Sequence, residues 1–156
     1  MSVQPQAVPQ PPMGYRPGVI NLITIISFLI SGLNVLWLIV VSILILAASA
    51  MTWLAGPAVG VVGSLIGVVI VGLLLAQFGL SVLLFSAAWA SLHGAPAGYS
   101  RHKLWAWIII ALDLVALLFT GGFDFAAWIR LGYAVFLIIM IDRPEVRAYF
   151  GLPNAG

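Results

Sequence analysis

The chain has 156 residues, and 63% of them are hydrophobic against only 6% charged. A soluble domain of this size carries roughly a quarter charged residues, so a soluble enzyme and a disordered chain are both excluded. The formal net charge of +2 is too small for a nucleic-acid partner, and the absence of cysteine removes disulfides, thiolate metal sites and a cysteine nucleophile. The expected class is an all-α integral membrane protein.

Residues 1–18, MSVQPQAVPQPPMGYRPG, hold five prolines and three glutamines. Such a segment has too few apolar side chains to pack a core and reads as an extended cytoplasmic tether. A docking peptide for a proline-recognition module is the sharper alternative.

From Val19 to His93 there is no formal charge. A spanning helix needs about 20 apolar residues, so this stretch holds two spans, divided at Gly56-Pro57. Span 1 is placed near 19–47 and span 2 near 61–90; both exceed the minimum and call for tilt or protrusion. Thr24, Ser27, Ser31, Asn34 and Ser42 fall within about 80° of one another around span 1, a polar stripe that should face protein or water. Interhelical hydrogen bonding explains it, with a pore-lining face as the alternative.

Span 2 reads as a packing helix. Gly60, Gly63 and Gly67 make one small-residue face, and Gly72, Ala76 and Gly79 begin another, continued by Ser86 and Ala90. Small residues let helices approach where no hydrophobic effect joins them. Gln77 is expected to bond across the bundle.

Residues 91–103 (SLHGAPAGYSRHK) read as a polar loop. Span 3 follows near 104–120 and span 4 near 125–141, joined by a tight hairpin at Gly121-Gly122-Phe123-Asp124. Trp89, Trp105 and Trp107 fit an aromatic belt at one interface and Trp53 at the other. His93 and His102 read as solvated interface histidines, too few for a metal site. Arg16, Arg101, Lys103, Arg143 and Arg147, five of the six basic residues, fall on one side of a four-span layout. That side is therefore cytoplasmic, with both termini inside.

The sixth basic residue, Arg130, lies within span 4, and Asp113 lies within span 3. Each stands roughly 13 Å from the hairpin centre at the helical rise, so antiparallel neighbours bring them to one depth. An ion pair holding the two spans in register accounts for both charges, since either left alone at bilayer depth is worse. A proton- or ion-coupling site is the alternative, with the charges shared between subunits as a third arrangement.

Residues 142–156 form a short tail. Asp142-Arg143-Pro144-Glu145 has the pattern of an N-cap, a first-turn proline and an acid three residues on. A short interfacial helix follows, with Val146, Tyr149 and Phe150 turned to the membrane and Arg143 and Arg147 to the phosphates.

The Arg16-Pro17 start with Ile20, the four compact spans and the Arg143 to Phe150 ending resemble small bacterial four-span membrane proteins of uncharacterised function. The resemblance implies a bacterial inner membrane and carries no activity onto any residue here. No catalytic constellation stands out, no Ser/His/Asp set is expected at a shared depth, and no cofactor is expected. The expected role is a structural or accessory subunit, packed against a partner membrane protein or a second copy within the lipid bilayer. A small oligomeric channel or ion-coupled transporter using Asp113 and Arg130 is the alternative.

Overall fold

The computed structural model describes residues 16–119, 121–122 and 124–153. The proline-rich stretch to residue 15 and the last three residues lie outside the described part. All regular structure among the described residues is helical: α1 (Gly18–Leu54), α2 (Pro57–Leu92), α3 (Pro96–Phe119), α4 (Phe125–Ile141) and α5 (Pro144–Tyr149). The first three are long and apolar enough to cross a membrane, whereas α4 is shorter at 17 residues.

Proline opens α2, α3 and α5. Its ring presets the helical φ, and its missing N–H costs nothing in a first turn. Between α1 and α2 only Ala55 and Gly56 intervene, and Gly56 takes φ +127°, a conformation that side-chain-bearing residues rarely adopt. At the other hairpin the Gly122 amide donates to the Leu117 carbonyl and closes α3. The Asp124 carboxylate then accepts from the Ala127 amide and caps α4.

Several boundaries differ from those expected. The helices of spans 1 and 2 run on to Leu54 and back to Pro57, because the only breaker between them is the Gly56-Pro57 pair. Most of the expected loop at 91–103 is helix: only His93 to Ala95 turn, and α3 starts at Pro96. Asp142 does not cap α5. It ends α4, and the extended Arg143 precedes α5 without a side-chain cap.

Consecutive helices pack antiparallel, with α1 against α2, α2 against α3 and α3 against α4. The main core sits at the end where the described chain begins and ends: Ile20, Ile23, Leu84, Trp105, Ala106, Ile109, Leu137 and Ile141, closed by Val146 and Phe150. At the rise of an α-helix the 37 residues of α1 reach about 55 Å and the 17 of α4 about 25 Å. The α1–α2 hairpin therefore extends well past the α3–α4 hairpin. Along that extension Thr52 and Trp53 fill the space above Gly63 and Gly60.

Candidate functional site

Asp113 and Arg130 come together as their spacing predicts. Arg130 Nε donates to both Asp113 oxygens at 3.1 and 3.2 Å, and Nη2 to Oδ1 at 2.7 Å. Asp113 is only 5% exposed along its side chain and Arg130 is 33% exposed. The two-pronged contact fixes the guanidinium plane against the carboxylate, the strongest geometry open to such a pair. Both partners belong to one chain.

Nearer the end where the described chain begins and ends lies a second polar cluster. His102 is completely buried, as is Ser27. His102 is thus not the solvated interface residue expected of it, while His93 is exposed. Ser27 Oγ stands 3.1 Å from His102 Nε2 and 2.8 Å from the Tyr133 hydroxyl. His102 Nδ1 stands 2.9 Å from the Gly98 carbonyl, with Ser91 Oγ further off at 3.4 Å. A carbonyl can only accept, so in the neutral ring the proton sits on Nδ1 and Nε2 accepts from Ser27. Tyr133 then donates to Ser27, and the chain Tyr133, Ser27, His102, Gly98 has one direction through α4, α1 and α3.

Ser27 and His102 thus share a depth, a pairing the sequence reading did not single out. The signal lay in the count along the helices: Ser27, His102 and Tyr133 stand at similar distances from the ends of α1, α3 and α4 that meet there. No carboxylate joins them among the described residues, and the pair is sealed from solvent. With Tyr133 it links α1, α3 and α4.

The rest of the polar stripe divides. Thr24 and Ser31 are buried, and Asn34 and Ser42 are half-buried. Thr24 accepts from Arg16 Nη2 at 3.3 Å. Ser31 and Ser42 donate back to their own helix, at the Ser27 and Leu38 carbonyls. Of the five, Ser27 alone bonds to another helix among the described residues. Gln77 does not bond across the bundle among the described residues; its carbonyl accepts from Ser81 within α2.

The two small faces of α2 also differ. A Cβ on Gly60 would meet the Trp53 ring at 2.7 Å, and one on Gly63 would meet Thr52 Oγ1 at 2.8 Å. Gly67 lies 4.0 Å from Ser49 by the same measure. That face is filled by α1. Above Gly72 and Gly79 there is nothing within 4 Å, and Ala76 beside them is exposed.

At the outer edge of the His102 cluster, Asp142 gathers α3, α4 and α5. Tyr99 donates to its Oδ1 at 2.5 Å, Lys103 Nζ lies 2.9 Å from Oδ2, and Arg147 approaches Oδ1 at 4.0 Å. Burial pulls the Asp142 carboxyl upward, but the Tyr99 and Lys103 hydrogen bonds and the Lys103 and Arg147 charges outweigh it and hold it below the usual carboxylate value. Arg147 donates to the Pro153 carbonyl through Nε and Nη2 at 3.0 and 2.7 Å.

The expected interfacial helix is therefore a docked one. Val146 and Phe150 are buried against the bundle, because Gly98 leaves a seat for the Phe150 ring. Trp105 likewise departs from the expected belt and stacks edge-on against Tyr133 in the core, while Trp53, Trp89 and Trp107 are exposed. Compared with known proteins, the chain matches no family model, no curated protein and no solved structure.

Proposed function

We propose that the chain is a multi-pass protein of a bacterial inner membrane, with four spans and both termini cytoplasmic. It serves as a non-enzymatic structural or accessory subunit of a larger membrane assembly. The observation that carries this reading is the contrast along α2. The face at Gly60 and Gly63 is filled by α1, whereas the face at Gly72, Ala76 and Gly79 is open and able to admit a partner helix at close range. The side bearing Arg16, Arg101, Lys103, Arg143 and Arg147 is assigned to the cytoplasm by the positive-inside rule. Closure of the Asp113–Arg130 pair within one chain supports a register-holding role over ion coupling.

The test is mild extraction from native membranes at natural abundance, followed by the mass of the intact particle and identification of its proteins. A reproducible larger complex, lost on Gly72→Leu with Gly79→Leu while the extracted chain keeps its helicity, supports the reading. A particle containing this chain alone overturns it and makes flux across liposomes, with Asp113→Asn as control, the next question.

A further inference from the structure

The buried Ser27–His102–Tyr133 cluster lies directly behind α5. Gly98 is the shared wall. Its carbonyl accepts from His102 on the inner side, and the Phe150 ring lies 3.1 Å from where its Cβ would stand. Ser91 is shared in the same way. Its hydroxyl approaches His102 Nδ1, while its carbonyl accepts from the Tyr149 hydroxyl at 2.9 Å. The Tyr149 ring also covers Gly94, at 3.6 Å from the position of a Cβ. Tyr149 and Phe150 thus lie over the turn at Gly94 and over Gly98, whose carbonyl holds His102.

The helix that does the covering is short. It has six residues, too few to persist alone; Val146 and Phe150 anchor it by burial, with Tyr149 and Leu152 packed alongside. Its polar ties to the rest of the bundle are few: Tyr149 to the Ser91 carbonyl, Arg147 to the Tyr99 hydroxyl and, at 4.0 Å, Arg147 to Asp142. Behind this cover Ser27, Ser91, His102 and Tyr133 bring hydrogen-bonding side chains from α1, α2, α3 and α4 together.

We propose that α5 is a gate. Its undocking from Gly94 and Gly98 opens the His102–Ser27–Tyr133 cluster to small hydrogen-bonding solutes from the end where the described chain begins and ends, and its docking shuts them out. Gating needs no partner and no charge movement at Asp113, so it is independent of the accessory role. Trp105 and Ile109 are buried on the same face of α3 between His102 and Asp113.

The chain supplies its own probe. His93 is exposed and His102 is buried, and the sequence has no other histidine and no cysteine. The full chain in lipid nanodiscs is treated with diethyl pyrocarbonate, and modification at each histidine is followed by peptide mass. His93 reacts and His102 is protected in the wild type. Phe150→Ala, and separately Asp142→Asn with Arg147→Gln, raise the His102 rate relative to His93 by about 5- to 30-fold, the change in open population for one or two kcal/mol of lost docking. Amide exchange in residues 40–54 of α1 and 57–70 of α2, at the hairpin end away from α5, stays at its wild-type rate. Unchanged protection of His102 in both variants overturns the gate. A rise that appears only together with faster exchange in that distant hairpin also overturns it, since His102 is then reached by general loosening.

Discussion

Asp113 and Arg130 show how two residues answer a single physical demand. A carboxylate inside an apolar bundle needs an opposite charge with directed donors, and Arg130 supplies three contacts on two oxygens. Asp113→Asn removes the negative charge and leaves a guanidinium with no acid beside it. The expected loss is up to about 3 kcal/mol, the low end of the range for breaking a buried pair, because Arg130 is partly exposed. Adding Arg130→Gln restores much of it, since two neutral amides at one depth can bond to each other. Thermal unfolding of the single and double variants in one detergent checks this. A double variant no more stable than Asp113→Asn would show that the pair does not set stability. The pairing was legible beforehand because a tight glycine hairpin lets depth be counted outward from its centre. His102 was not legible in the same way: it sits between Arg101 and Lys103, and two charged neighbours suggest an interface. Helical geometry turns Arg101 outward and His102 inward, which composition alone does not register.

At the level of elements, legibility followed the strength of the local signal. The bounds of α4 agree with the expected 125–141, because a glycine pair precedes it and Asp124 caps it. The start of α3 was hidden, since SLHGAPAGYSRHK has the composition of a loop. What makes it helical is tertiary: the turn after α2 folds back, and Gly98 packs directly on Ser91. A Cβ at residue 98 would stand 2.6 Å from Ser91 Oγ and 2.9 Å from the Ser91 amide nitrogen. The hydroxyl can rotate away, but the amide cannot. Gly98→Ala is therefore expected to part α2 from α3 at a cost of about 1–3 kcal/mol, the usual penalty for overpacking. Ser91→Ala in the same chain should relieve only a minor share. Unfolding midpoints of the two variants decide the matter, and a neutral Gly98→Ala would mean that α2 and α3 are not in such close register. The error at α5 has the same origin. Val146, Tyr149 and Phe150 have the spacing of a membrane-facing stripe, and the sequence alone does not reveal that Gly94 and Gly98 provide a proteinaceous seat for them.

Across the whole molecule the dominant fact is unequal length. The expected spans of 19–47 and 61–90 already ran long, and the helices observed are longer still, at 37 and 36 residues. A helix tilted by 40°, the upper end of the common range, keeps roughly 26 residues inside a hydrocarbon core of about 30 Å. About ten residues of α1 then pass beyond it, around a hairpin tip where Met51, Trp53 and Leu54 are exposed. The short α3–α4 hairpin cannot cover them. A bilayer thinner than an apolar helix pair favours tilt, local thickening or lateral association. Purified chain reconstituted into short-chain lipid is therefore expected to self-associate, and the association should weaken as the acyl chains lengthen and the tip is submerged. Single-molecule counting or energy transfer between labelled copies across a series of lipids measures this directly. Association that is independent of thickness would place the contact on the helix faces near Gly72 and Gly79, which lie away from the tip. Association that falls with thickness would place it at the tip, where apolar surface has no other cover.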